Sequence, residues 1–128
     1  MLRRERALGF RSGVLAKGRC VVTGDVADEA HHVIPKGKLK KIASALDDTA
    51  LDELLYDVRN GVPLTERAHR RHTLAVERVP FEALPPEVHE FAAELELEWY
   101  IERFYPKRAH ALDAAEAAGL AVQQGGSS

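Results

Sequence analysis

One cysteine in 128 residues is the tightest constraint on this chain. Cys20 has no partner for an internal disulfide, and one thiol alone cannot hold a structural zinc. Any fold must therefore rest on packing and hydrogen bonds. The length suits one domain with a modest core. Hydrophobic content of 45% and charged content of 30% are globular values. Cys20 itself reads as a half-buried small side chain. No run of 18 apolar residues occurs, so no membrane span or membrane partner is expected. The opening "MLRRERALGF" has neither the apolar stretch nor the cleavage site of a signal peptide. The expected location is the cytoplasm, with export by another route the alternative.

Net charge is only −2, but its distribution is uneven. Residues 1–41 hold ten Arg/Lys against four Asp/Glu, while residues 79–128 hold three against nine. A polyanion would dock on the first part, and the acidic part would face away or meet something else.

The local patterns divide the chain. Residues 1–17 read as a basic arm. In "GRCVVTGDVADEAHHVIPK", Cys20–Val22 suggests a first short strand, Thr23-Gly24-Asp25 a turn, and Ala30–Ile34 a second strand stopped by Pro35. Leu39, Ile42 and Leu46 are spaced for a short helix over Lys38–Ala45. Leu51–Tyr56 reads as a second helical piece or an extended return. Asn60-Gly61 is a strong turn signal, and Thr65 is placed to cap a helix over Glu66–Leu74. "LPPEVHEFAAELELEWYIERFYP" predicts one long helix from Pro86 to Tyr105, with Val88, Phe91, Ala92, Leu95 and Trp99 on the buried side. Ala109–Leu120 reads as a last helix and 123–128 as a disordered tail.

Four of the six histidines form two pairs, His31-His32 and His69/His72. His89 and His110 read as solvent-facing. Adjacent strand residues point to opposite faces, so His31 and His32 cannot share one job. On a helix, His69 and His72 fall on one face. If His31 and His69 meet a divalent cation, His32 is held close by and can take a proton from water, because imidazole titrates near neutrality.

"AHHVIP", then Asn60 in "RNGVPL", then His69 in "ERAHRRH", resembles the HNH endonuclease family. The resemblance covers about Gly18 to Thr73, and the C-terminal "VHEFAAELELEWYIERFYP" is similar to the last helix of small phage-encoded members. It implies an α+β fold with a ββα-metal (His-Me finger) core over 18–78, an inserted helical segment at 38–56, and a helical region over 79–122 packed on that core. By resemblance, His31 and His69 are ligands of one divalent cation and His32 is the general base. Asn60 braces the base-bearing loop or helps hold the metal, and His72 is a further ligand or a phosphate contact. The implied activity is metal-assisted hydrolysis of DNA phosphodiesters, leaving 5′-phosphate and 3′-hydroxyl ends. The cation would be Mg²⁺ or Mn²⁺, with Zn²⁺ or Ni²⁺ as substitutes. Lys36, Lys38, Lys40, Lys41, Arg59, Arg67, Arg70 and Arg71 are candidate contacts to the DNA backbone, which position without specifying.

The sequence departs from one common version of the family, in which two Cys-x-x-Cys pairs clamp a structural zinc. Those positions here are Cys20 and Thr23, then Thr65 and Ala68. No structural zinc is expected, and the long C-terminal helix would hold the core instead. Beyond DNA, the implied partner is a phage packaging or other specificity-giving protein. Two other readings compete: a catalytically weak DNA-binding module of the same fold, and an interaction protein stabilised by metal on His31, His69 and His72, with or without Cys20.

Overall fold

The computed structural model describes residues 2–108 of the chain. Helix α1 (Arg3–Leu15) leads to strand β1 (Glu29–His32), then α2 (Lys36–Ile42) and α3 (Asp48–Leu55). A 3₁₀ turn at Val58–Asn60 runs straight into β2 (Gly61–Leu64), followed by α4 (Glu66–Thr73). After a second 3₁₀ turn at Phe81–Ala83 come α5 (Pro86–Glu94) and α6 (Glu98–Phe104). This is a mixed α+β fold: a two-stranded antiparallel sheet flanked by several helices. None of the described helices is long and apolar enough to cross a membrane.

The strand that carries the paired histidines does not pair with Cys20–Val22, as the sequence suggests. Its partner is β2, with His31 opposite Val62 and His32 opposite Gly61. Residues 20–25 close on themselves instead. Gly24 N–H donates to Cys20 O at 2.9 Å and Cys20 N–H to Asp25 O at 2.8 Å. That knuckle uses up the backbone groups a strand would have offered. Only Val21 N–H reaches β2, at Pro63 O. Cys20 is fully buried rather than half-buried.

The basic N-terminal stretch is a helix and not an arm. Phe10 and Val14, one turn apart, bury on the sheet. The close approach depends on Gly61: a Cβ there would run into Val14 Cγ2 and the Phe10 ring. Asn60-Gly61 therefore acts less as a turn than as the place where a helix lies against a strand.

The expected single helix over 86–105 is two helices. Glu96 takes the left-handed conformation at φ 56°, and Leu97 N–H bonds back to Ala92 O at 2.8 Å. This is a Schellman closure, usually made by glycine. The break re-aims α6, so Trp99 is 49% exposed instead of buried, while Ile101 and Tyr105 turn into the core. Lys38 of α2 lies over the Trp99 ring at 4.7 Å. The helix expected over Lys38–Ala45 instead starts right after Pro35 and ends at Ile42, burying Leu39 but leaving Ile42 and Leu46 exposed. Other sequence signals hold. Thr65 Oγ1 accepts Ala68 N–H to cap α4, Pro86 starts α5, and Asp47 caps α3, so Leu51–Leu55 is helical. The Ala109–Leu120 helix, His110 and the 123–128 tail lie outside the described residues.

The core joins the strand-following Val33 and Ile34 to Leu39, Leu55, Val62, Leu64, Val88, Phe91, Ile101 and Tyr105. Burying such side chains contributes roughly 1.5–3 kcal/mol each before entropy is charged against it. The C-terminal helices therefore belong to the same core as the histidine-bearing strand.

Candidate active site

β1 ends at His32, and the chain leaves it through Val33-Ile34-Pro35. Asn60 fixes this exit. Its Oδ1 accepts Ile34 N–H and its Nδ2 donates to Ile34 O, both at 2.9 Å, while its own carbonyl accepts Val33 N–H. Asn60 is fully buried, and all its amide groups are matched. Only a side chain with one donor and one acceptor side by side can copy a strand partner in this way. Of the two roles implied for Asn60, the contacts seen are those of a brace.

His31 and His32 point to opposite sides of β1. His31 is buried, and its Nε2 meets the Tyr105 hydroxyl at 2.8 Å. Its ring centre lies 4.9 Å from that of His69 and 4.8 Å from that of His72. Burial pushes the His31 pKa well below its ordinary value, helped by His72. Burial, Arg78 and His69 lower His72 to about 4. Both rings are thus neutral at pH 7.

His32 stacks on Phe10 of α1, ring centres 4.1 Å apart. Its Nε2–H donates to Leu55 O at 2.8 Å, since a carbonyl can only accept. The remaining Nδ1 keeps its lone pair. Burial lowers this pKa too, partly offset by the bond to Leu55. A neutral imidazole with one nitrogen braced and the other bare is what a general base requires. It borders a cleft of about 470 Å³, also lined by Arg11, Glu29, Lys36 and Tyr56.

Glu29 links the two sides. It borders the cleft, and its Oε1 accepts His69 Nδ1–H at 2.5 Å. A carboxylate behind an imidazole fixes the ring and raises the basicity of its other nitrogen. Among the described residues no three His, Cys, Asp or Glu side chains converge to hold one ion. Two nitrogens suited to one are present, however. Among the described residues, the His31 and His69 rings make no second hydrogen bond. Among the described residues no fully buried side-chain nitrogen or oxygen lacks a partner, so these two unengaged atoms are not sealed in the core. Two imidazoles sharing an ion at bonds of about 2.0–2.1 Å have ring centres roughly 5 Å apart. The 4.9 Å between His31 and His69 is compatible with this, as is the 4.8 Å between His31 and His72.

The candidate DNA contacts separate into groups. Lys36 lines the cleft and lies 5.4 Å over Tyr56. Lys40 and Lys41 are exposed on α2, and Lys38 sits on Trp99. Arg67 is exposed at the start of α4, Arg70 lies 4.0 Å from Glu66, and Arg71 bonds Glu77 at 3.1 Å. Arg59 differs from these. Four hydrogen bonds tie it to Asp57 and Glu94, which raise its pKa further, and its guanidinium lies over Phe91. His89 is half-buried against Phe81, 4.7 Å between ring centres, rather than facing solvent.

Several site residues escape sequence reasoning. Glu29 had a signal, since it sits two positions before His31 and so on the same strand face. Phe10, Tyr105 and the carbonyl of Leu55 had none, because tertiary packing alone brings them to the histidines. Cys20, Thr23, Thr65 and Ala68, the positions compared above with a clamp, lie together. The Cys20 thiol is held below its ordinary pKa by bonds to the Thr23 side chain and the backbones of Thr23, Thr65 and Val22, which outweigh burial, the largest single influence. Thr65 in turn caps Ala68. Comparison with family models, with curated proteins and with solved structures finds no match to this chain.

Proposed function

We propose that the chain is a metal-dependent DNA endonuclease of the HNH type, built on a ββα-metal core formed by β1, β2 and α4. One observation carries the reading. The pair 31-32, residue 60 and residue 69 are remote from one another in sequence, yet the surroundings of each suit the role proposed for it. The His31 and His69 rings lie edge-on with centres 4.9 Å apart, each with one nitrogen that makes no hydrogen bond among the described residues, His32 is braced at Nε2 and bare at Nδ1, and Asn60 clamps the strand exit. The convergence of Cys20, Thr23, Thr65 and Ala68 supports it independently.

His31 and His69 would hold the divalent cation, which when bound supplies positive charge against the phosphate oxygens and the departing 3′ oxygen. His32 Nδ1 takes a proton from water as the water oxygen bonds to phosphorus. The P–O3′ bond breaks, and the 3′ oxygen leaves and picks up a proton. The products are a 5′-phosphate and a 3′-hydroxyl. Leu55 O keeps the His32 ring oriented throughout, and Phe10 prevents it from swinging away. Lys36 and Arg11 line the cleft, Arg11 with one nitrogen on Asp28 O, and would meet the DNA backbone there.

The test is incubation of supercoiled plasmid with the protein in Mg²⁺, Mn²⁺ or chelator. The reading predicts nicked or linear DNA with metal and none with chelator. Binding to DNA without cleavage in any divalent metal would instead favour the weak DNA-binding module. Loss of folding on chelation would favour the metal-stabilised interaction protein.

A further inference from the structure

Distance alone does not say which imidazoles take the ion, because His69 and His72 lie equally close to His31. The hydrogen bonds do. A backbone N–H can only donate, and Val79 N–H donates to His72 Nδ1 at 2.9 Å. A neutral imidazole carries one proton, so that proton sits on Nε2. His72 then has no free lone pair. His69 is arranged the other way round. Its Nδ1–H goes to Glu29, leaving Nε2 bare.

His31 is set by Tyr105. The hydroxyl has one proton, and it goes to Val33 O at 2.7 Å. What Tyr105 offers His31 is therefore a lone pair. His31 must carry its proton on Nε2 and leave Nδ1 bare. Tyr105 is nearly fully buried at the end of α6, and it stacks on His72 with ring centres 4.9 Å apart.

We propose that Tyr105 is a positioning residue for a two-imidazole cation site, made by His31 Nδ1 and His69 Nε2, from which the backbone N–H of Val79 withholds His72. The inference rests on the nuclease reading and sharpens its ligand set. It also gives the C-terminal helices a task. They carry the hydroxyl that selects the His31 tautomer, from 74 residues away.

The first arm uses the metal-free full-length protein. Long-range ¹H–¹⁵N NMR at pH 7.5 should find His31 and His72 protonated on Nε2 and His69 on Nδ1. The second arm uses Zn²⁺. X-ray absorption should count two imidazole ligands, and calorimetry should find Tyr105→Phe weaker by about 10- to 100-fold, the usual effect of losing an outer-shell partner. In Y105F the His31 Nε2–H population should also fall, which a merely structural role would not produce. His72→Asn, whose amide oxygen can still accept Val79 N–H, should bind Zn²⁺ within about threefold of the native protein by the same argument, whereas His69→Ala should not. Three imidazoles in the native protein, native affinity in Y105F, or an H72N that stays folded and loses Zn²⁺ like H69A would each overturn the inference alone. Failure of the native protein to bind Zn²⁺ or Mn²⁺ at all would overturn the nuclease reading with it.

Discussion

Asn60 makes the strongest claim of any single residue. It has no exposed surface, and its side chain closes two hydrogen bonds on one backbone unit of Ile34. Asn60→Ala would strand a buried N–H and a buried carbonyl and leave a void. Each unmet group costs about 1–3 kcal/mol. Urea unfolding should show a loss on the order of 3 kcal/mol with an unchanged slope. Asn60→Asp should fare little better, because a carboxylate cannot donate to Ile34 O. The neutral histidines make a second claim at this scale. His31 and His72 have folded pKa values below the ordinary 6.5, His72 at about 4. Between those values the unfolded chain binds protons that the folded one refuses, so stability rises with pH across this window. Lowering the pH from 7 to about 4.5 should therefore destabilise the metal-free protein, with His72 alone contributing on the order of 2 kcal/mol. Chemical denaturation at the two pH values checks this, and the pH effect should shrink in H72N.

At the scale of elements, α1 matters more than its sequence advertises. The run "RRERALGFRSGVL" shows scattered arginines and few apolar residues, yet Phe10 and Val14 seat it on Gly61 and set Phe10 against His32. Gly61→Ala should push α1 off β2 and cost about 1–3 kcal/mol, as other overpacked contacts do. It should also free the His32 ring, which NMR would detect as broadening or a shift of its side-chain signals. The break between α5 and α6 was equally hard to read, because the left-handed residue is Glu96 and not glycine. What could be read had local causes: the Thr65 cap, Pro86 at a helix start and the helical spacing of α4. The residues proposed for catalysis were legible as well, since their order and spacing carry them. Their supports were not, because Tyr105 and Leu55 reach the histidines only through packing.

For the whole molecule, the opposed charges of the two ends are partly joined. Glu87 and Glu94 on acidic α5 pair with Lys17 and Arg59. Among the described residues, basic side chains outside any such pair lie on several elements, including Arg4, Arg6 and Arg11 on α1, the four lysines of α2 and Arg67 on α4. Lys40 and Lys41 are exposed, and no carboxylate pairs with either among the described residues. If they meet DNA phosphates, Lys40→Ala and Lys41→Ala should each lower the slope of log affinity against log salt by about one. Arg59→Ala should leave that slope unchanged while lowering stability, because Arg59 is already committed to Asp57 and Glu94.

All three scales meet in His32, and its removal probes the account most directly. The measurement is single-turnover cleavage of a DNA duplex in Mn²⁺ by the native protein and by His32→Ala, with Mn²⁺ affinity determined for both. On the proposed reading His32 takes no part in holding the ion, so H32A should bind Mn²⁺ like the native protein and cut at least about a hundredfold more slowly. An H32A that cuts at the native rate would mean that another group activates the water.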